Sequence, residues 1–258
     1  MTTPPPSAQP PGGPTIVVAP DLDGLARLAA DRVRVIAADA VAARGRFRFA
    51  LAGGSTPRAL YAHLAAARDL DWAHTDVFFG DERSVGPDDP QSNFRMAREA
   101  LLAPGGVPPE NVRRMRGEDP DLDAAARDYE AALGGPAAPP LDLALLGMGA
   151  DGHTASLFPG TKALDETARL CVAVEVPELA TRRLTLTTPV FLAARELLFL
   201  VAGADKAETL RDVLGPSREP RRWPSQVLLC RAHPRVALLF CDLAAASKLS
   251  ASPNQEVS

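Results

Sequence analysis

The 258-residue sequence has few cysteines and few histidines, three of the first and four of the second. The cysteines, Cys171, Cys230 and Cys241, are far apart, and each lies in or beside an apolar run. Buried free thiols are therefore expected rather than disulfides, and this usage fits a reducing, cytoplasmic location. Because no cluster of histidines and cysteines supplies a set of metal ligands, a metal site is not expected.

Long runs of positive charge and of apolar residues are also missing. The net charge is −4 and no Lys/Arg run occurs, so the sequence indicates no nucleic-acid or membrane-surface partner. No apolar stretch approaches the roughly 20 residues of a membrane-spanning helix. Residues 1–14, MTTPPPSAQPPGGP, lack the basic start and apolar core of a signal peptide, and their prolines predict a disordered tail. Residues 247–258 predict a second, short tail.

Between these tails, short apolar segments alternate with helical patterns, which predicts a single α/β domain over residues 15–246. Strands are predicted at 15–19, 47–52, 76–80, 141–147, 196–202 and 236–241, with weaker ones at 171–176 and 226–230. Helices are predicted at 21–43, 57–68, 92–102, 121–134, 188–195 and 204–214. Several strands are continuously apolar, as in a parallel sheet that helices cover on both faces. The alternation predicts a doubly wound α/β sheet, whose ligands bind outside the carboxyl ends of the strands.

The first of three strand-end loops with candidate site residues is ALAGGSTPRAL, in which a strand ends at two glycines. Gly53 and Gly54 permit close approach to the backbone, Ser55 and Thr56 offer hydroxyls, and Pro57 is suited to a first helical position. Amide groups at the start of a helix form an anion site, which suggests phosphate binding. The alternative is an ordinary strand-to-helix turn with Ser55 or Thr56 as N-cap. The loop matches neither a Walker A motif nor the dinucleotide-binding GxGxxG motif.

The second loop, FFGDERSV, brings Asp81, Glu82 and Arg83 directly to the end of a strand. Arg83 has the rigid fork of donors that suits a phosphate or lactone oxygens. Solvated surface charges are the alternative interpretation. Ser92 is the expected N-cap of the following helix.

The third loop, LLGMGADGHTASLFPG, places Asp151 and His153 in a glycine-rich turn after a buried strand. A histidine can take a proton from water and return it, and a nearby carboxylate can fix its tautomer. A surface histidine in a glycine turn is the alternative. Ser156 lacks the GxSxG context of a nucleophilic serine. Structural roles are expected for the other histidines, His63, His74 and His233.

Two later segments add candidate cations. Arg182 and Arg183 precede a predicted short strand in RRLTLTTPV, and Lys206 lies in the first turn of a helix in GADKAETL. Lys206, together with Arg83 and Arg183, would complete a phosphate site around the GGST loop. For each of these three residues taken alone, a solvated surface charge is the alternative interpretation.

These segments occur in one chain in the order LAGGSTPRALY, FFGDERSV, LLGMGADGHTASLFPG, RRLTLTTPV and GADKAETL. In this combination the sequence resembles the 6-phosphogluconolactonase family over about residues 15–245. The resemblance implies a Rossmann-like α/β domain, similar to the glucosamine-6-phosphate deaminase fold, without a dinucleotide. It also implies hydrolysis of 6-phospho-D-glucono-1,5-lactone in the pentose phosphate pathway, with no metal or organic cofactor.

The resemblance implies roles for individual residues. His153 matches the general base for the attacking water, and Asp151 is its aspartate. The other positions that match substrate or phosphate binding are Gly53, Gly54, Ser55, Thr56, Asp81, Arg83, Arg183 and Lys206. Arg182 could take the place of Arg183. The expected partner is a small sugar-phosphate lactone, and the chain is expected to be a monomer or weak homo-oligomer.

Two other functions are weighed against the lactonase. An amino-sugar phosphate deaminase would carry Phe-Asn-Glu-Pro after the DGH turn, whereas this chain has Ser156, Leu157, Phe158 and Pro159, with no acid. A sugar-phosphate-sensing regulator would need a basic helix-turn-helix, for which the sequence offers no segment.

Overall fold

The structure is a computed structural model that describes residues 13–229, 237–249 and 255–257. The interpretations of Cys230 and His233, and nearly all of the predicted N-terminal tail, lie outside these ranges. Cys171 and Cys241 are buried and free, as predicted. Within the described ranges, no helix is long and apolar enough to cross a membrane.

Ten strands in the described residues form two sheets. They are β1 Thr15–Ala19, β2 Phe47–Leu51, β3 Thr75–Phe79, β4 Asp81–Arg83, β5 Leu143–Gly147, β6 Cys171–Val176, β7 Thr181–Leu186, β8 Glu196–Val201, β9 Ala237–Asp242 and β10 Gln255–Val257. The main sheet has the order β10-β1-β9-β8-β5-β2-β3, and all its pairings are parallel. The predicted parallel α/β sheet is therefore confirmed.

The described residues form eight α-helices, of which the first six follow the predicted segments closely, the seventh replaces a weakly predicted strand, and the eighth was not predicted. They are α1 Leu22–Arg44, α2 Ser55–Ala66, α3 Asn93–Ala97, α4 Leu122–Leu133, α5 Thr188–Ala193, α6 Ala207–Leu214, α7 Gln226–Leu229 and α8 Leu243–Ala246. A π-helical turn, Arg98–Leu102, continues α3, and a 3-10 turn, Ala204–Lys206, leads into α6. Four successive residues of β5, Leu143 to Leu146, are at most 1% exposed. Since neighbouring strand residues face opposite sides, this central strand is covered on both faces.

A second, antiparallel sheet of order β4-β7-β6 was not predicted as a separate unit. The DER segment was expected to be a strand-end loop, but it is strand β4, and Arg182 and Arg183 lie within β7 rather than before it. Gly80 joins the two sheets: its amide donates to Leu51 of the main sheet, and its carbonyl accepts from Leu186 of the small one, both at 2.8 Å. The small sheet thus lies against the carboxyl end of β3.

Two other predictions are corrected. The weak strand at 226–230 is instead helix α7 over Gln226–Leu229. The side chain of Gln226 accepts from the Glu219 amide and donates to the Val213 carbonyl, which satisfies a buried amide outside any sheet. The predicted C-terminal tail contains β10, which pairs with β1, so the end of the chain extends the main sheet.

Candidate active site

The three predicted loops meet in one cleft of about 180 Å³ at the carboxyl ends of β2 and β5, with β4 and β7 forming a wall. The cleft is lined by Ala52, Gly53, Gly54, Asp81, Arg83, Asn93, Gly147, Met148, Gly149, His153, Ala155 and Arg183. Six of the residues proposed from sequence are therefore neighbours: Gly53, Gly54, Asp81, Arg83, His153 and Arg183. Four others, Ser55, Thr56, Asp151 and Lys206, do not line the cleft.

The GGST loop differs from the expected first helical position of Pro57 and from the alternative N-cap at Ser55 or Thr56. Gly54, with φ of 107°, is the N-cap residue, and α2 begins at Ser55, so Pro57 is its third residue. No side chain caps this helix. Its first amide groups are therefore available to another acceptor, as an anion site requires.

Asn93, whose role the sequence did not reveal, packs directly against this loop. A Cβ atom on Gly53 would lie 1.9 Å from the Asn93 side-chain oxygen, so only glycine fits there. The side-chain amide of Asn93 donates to the backbone carbonyl of Asp81 at 2.9 Å and to the Asp81 carboxylate at 3.1 Å. Asn93 thus joins the GGST loop to the β4 wall of the cleft.

Asp151 and His153 form a close pair at the end of β5. The distance between His153 Nδ1 and Asp151 Oδ1 is 2.5 Å, and the His153 backbone amide also donates to Oδ1, at 3.2 Å. Burial alone would raise the pKa of Asp151, but the hydrogen bond and charge of His153 outweigh it and hold that pKa below its usual value. Since an ionised carboxylate only accepts, Nδ1 holds the proton of the neutral imidazole and Nε2 keeps its lone pair.

The glycines of this turn make room for the pair. A Cβ atom on Gly149 would lie 2.1 Å from His153 Nδ1 and 2.5 Å from Asp151 Oδ1. Gly152 has φ of 77°, in the left-handed region, and a Cβ there would lie 2.7 Å from the Trp223 ring. The Thr209 hydroxyl holds the turn from outside by donating to the Ala150 carbonyl at 2.6 Å.

Two arginines face each other across the β4–β7 pair, with Arg83 opposite Arg183. Burial lowers the pKa of the Arg183 guanidinium, Asp81 opposes this change, and the nearby Arg83 adds to it. Asp81 lies 3.9 Å from Arg183 and accepts the Ser156 hydroxyl at 2.6 Å. Ser156 therefore holds a buried carboxylate in place.

The position of each side chain along β7 distinguishes Arg182 from Arg183. Arg183 lines the cleft, whereas Arg182 lines a separate groove together with Lys162 and Glu175. Successive strand residues point to opposite faces, which explains the separation. The cleft therefore offers Arg183, and not Arg182, to a bound molecule.

Lys206 lies beside the cleft rather than in its lining. It follows β8, the neighbour of β5, and its ammonium group is 3.0 Å from Asp205. The helix after it contacts the DGH turn through Thr209. Lys206 itself does not line the cleft and pairs instead with Asp205.

Glu82 is a second residue whose role the sequence did not reveal. Only 2% exposed, it accepts hydrogen bonds from the backbone amides of Arg83, Asn93 and Phe94 and from the Ser92 hydroxyl. Burial raises the pKa of Glu82, and these bonds offset only part of the rise. Ser92 also accepts from the Arg95 amide, which confirms it as the N-cap of α3.

Residues 13–229, 237–249 and 255–257 contain no group of three or more His, Cys, Asp or Glu side chains that could hold a metal ion.

Comparisons with known proteins agree with this arrangement. The family model of glucosamine-6-phosphate isomerases/6-phosphogluconolactonase matches residues 20–237. The 6-phosphogluconolactonase of a Nostoc species is 40% identical over 243 residues, which cover 92% of this chain and 98% of that protein.

Solved structures show the same fold. The crystal structure of 6-phosphogluconolactonase from Leishmania guyanensis is 32% identical, has a TM-score of 0.77, and covers 92% of this chain and 99% of that one. A monomeric glucosamine-6-phosphate deaminase, 24% identical with a TM-score of 0.73 over 90% of this chain and 99% of that one, shares the fold alone.

Proposed function

The chain belongs to the glucosamine-6-phosphate isomerase/6-phosphogluconolactonase family, and we propose that it is a lactonase of the pentose phosphate pathway that hydrolyses 6-phospho-D-glucono-1,5-lactone to 6-phosphogluconate. The relatives named above support the reaction. The observation that supports this site is the Asp151–His153 pair, which lies at a cleft that also contains two arginines.

The proposed mechanism begins at His153. Its Nε2 takes a proton from a water molecule as the water oxygen adds to the lactone C1 carbonyl. Asp151 holds Nδ1 and stabilises the imidazolium that forms. The tetrahedral intermediate then collapses, the bond from C1 to the ring oxygen breaks, and the imidazolium returns its proton to that oxygen. The products are a carboxylic acid, which ionises, and a free hydroxyl group.

Binding of the phosphorylated substrate is assigned to other residues of the same cleft. Gly53 and Gly54, with the uncapped start of α2, offer backbone amides to the phosphate. Arg83 and Arg183 supply guanidinium donors to the phosphate or to the developing oxyanion. Anchoring the phosphate makes the attack of water effectively unimolecular. Lys206 would join this site only by turning from Asp205 toward the cleft.

The first test is an assay of freshly generated 6-phosphogluconolactone, whose decay is compared with its spontaneous hydrolysis, with and without EDTA. The wild-type protein should accelerate the decay of the lactone equally with and without EDTA. His153→Ala should lower kcat by about 100-fold or more while the fold is kept, because a positioned general base contributes about 10² to 10⁴.

His74 provides a matched control, because it forms an exposed pair with Asp71 at 2.8 Å outside the cleft. His74→Ala should keep the wild-type rate. Wild-type protein that leaves the lactone at its spontaneous rate would refute the proposed function. A fully active His153→Ala would refute only the mechanism.

A cytoplasmic location is also proposed, on the basis of the buried free thiols of Cys171 and Cys241. A monomer or weak homo-oligomer without a nucleic-acid partner stays a prediction.

A further inference from the structure

The sequence after the DGH turn places a buried aromatic ring against the proposed base. The Phe158 side chain is 4% exposed, and its ring stacks on the His153 imidazole with 4.0 Å between centroids and 25° between planes. Its neighbours Leu157 and Pro159 continue an apolar segment. Nothing in the mechanism above uses this ring.

The other contacts of His153 leave one motion of the imidazole open. The hydrogen bond to Asp151 fixes the position of Nδ1, but the ring could still tilt about that contact. Gly149 bounds the Nδ1 and Cε1 edge, since a Cβ atom there would lie 2.1 and 2.3 Å from these two atoms. The Phe158 ring supports the imidazole plane and so removes the remaining tilt.

The contact is also stronger for the protonated base. A cation over the face of an aromatic ring is attracted by the ring's quadrupole, and the attraction grows when water is excluded. When His153 takes the proton from water, its ring becomes an imidazolium beside Phe158. The same phenyl ring has the guanidinium carbon of Arg183 at 5.3 Å from its centroid. Among the charged residues of this region, Asp151 contacts Nδ1 of the imidazole. Arg183, Asp81 and Arg83 line the same cleft as His153.

We propose that Phe158 is a positioning residue for catalysis: its ring holds the His153 imidazole with Nε2 toward the attacking water and favours the imidazolium that forms. It acts through His153 and contributes to kcat rather than to binding of the phosphorylated substrate. This inference rests on the proposed role of His153 as base.

The test replaces the ring while keeping an apolar side chain. Phe158→Leu should lower kcat by about tenfold or more, since loss of the ring contact and a displacement of the base add together. The KM for the lactone should stay within about threefold. Phe158→Tyr, which keeps the ring, should recover most of kcat. Phe158→Met serves as a second ring-free variant if the leucine variant does not fold.

A control and a direct observation accompany the kinetics. Phe240→Leu removes a ring of similar burial, 5% exposed, from β9 outside the cleft, and it should leave kcat unchanged. In proton NMR spectra, the His153 ring protons should be shifted by the ring current of Phe158 and should return toward ordinary positions in the leucine variant. The His153→Ala spectrum identifies these signals among the histidines.

The outcomes separate this inference from the proposed function. Normal kcat in Phe158→Leu, with an inactive His153→Ala, would overturn the positioning role and leave the lactonase intact. A raised KM with unchanged kcat would also overturn it, because the ring would then act through Arg183. A wild-type protein without lactonase activity would refute the function, whereas the NMR shift would still report whether the stack exists.

Discussion

Gly149→Ala should displace the proposed base without unfolding the protein. Gly149 is not among the glycines with positive φ, so alanine can adopt its backbone conformation. Its new Cβ atom, however, would lie 2.1 Å from His153 Nδ1 and 2.3 Å from His153 Cε1. Non-bonded heavy atoms normally approach to about 3.5 Å, so the imidazole must move by about 1 Å or more.

The expected loss follows from that displacement. A misplacement of about 1 Å can lower the rate about 100-fold, so kcat of Gly149→Ala should fall by about that factor. The added methyl group would also lie 2.5 Å from Asp151 Oδ1, so the pair cannot shift as a unit toward the carboxylate. The assay is the decay of freshly generated lactone above its spontaneous rate, with the melting temperature measured on the same samples.

Gly86→Ala is the matched control for this variant. Gly86 is outside the cleft, has no positive φ, and an added Cβ would meet no atom within 4 Å. It should keep wild-type kcat and a similar melting temperature. A folded Gly149→Ala with kcat within about threefold of wild type would refute the argument, because either the imidazole lies elsewhere or its placement does not limit the reaction.

Two further predictions concern the cleft wall and the response to acid. Arg183→Lys should raise KM by about tenfold, because lysine cannot reproduce the guanidinium fork. Arg182→Lys is the control and should leave KM within about twofold of wild type. Equal effects of the two substitutions on KM would show that strand alternation does not select the binding arginine. Glu130 accepts three hydrogen bonds from Arg169, at 2.9, 3.0 and 2.8 Å. Burial raises its pKa, but these bonds and two backbone amides hold it below the usual 4.5. The stabilisation by ionised Glu130 is therefore complete above about pH 4.5 and is lost as the pH falls through the lowered pKa. In urea unfolding at about pH 7, Glu130→Gln should have a smaller free energy of unfolding than wild type. At about pH 3 the difference in free energy of unfolding between the two proteins should be smaller. A difference that does not change with pH would contradict this linkage.

The main sheet could be predicted because its strands are apolar on both faces and alternate with helices. The bounds of β1 were predicted without error, and those of β2, β5 and β8 within two residues. The small antiparallel sheet could be predicted only in part. Its strand β6 has the bounds predicted for the weaker strand at 171–176, but its pairing into a separate sheet was not expected. Its strand β4 is only three charged residues long, and it pairs with β7, which lies far along the chain. No alternation of apolar and polar residues marks such a strand, because its formation depends on a tertiary contact.

The site was partly predictable for a related reason. Gly53, Asp81 and His153 follow parallel strands, whose carboxyl ends meet at one edge of the sheet, so their proximity follows from topology. Asn93 was missed because its side chain acts through tertiary contacts with Gly53 and Asp81 that no sequence pattern records. Phe158 was noted only as a non-acidic residue, since stacking is a property of the folded turn.

Asp81 shows how closely these loops depend on one another. One of its carboxylate oxygens accepts from Asn93 and the other from Ser156, and Arg183 lies 3.9 Å away. These partners come from α3, from the turn after His153 and from the small sheet, so a single carboxylate joins three parts of the cleft. The two acids therefore have different roles: Asp81 maintains the shape of the cleft, and Asp151, which does not line it, holds the imidazole of His153, the proposed base.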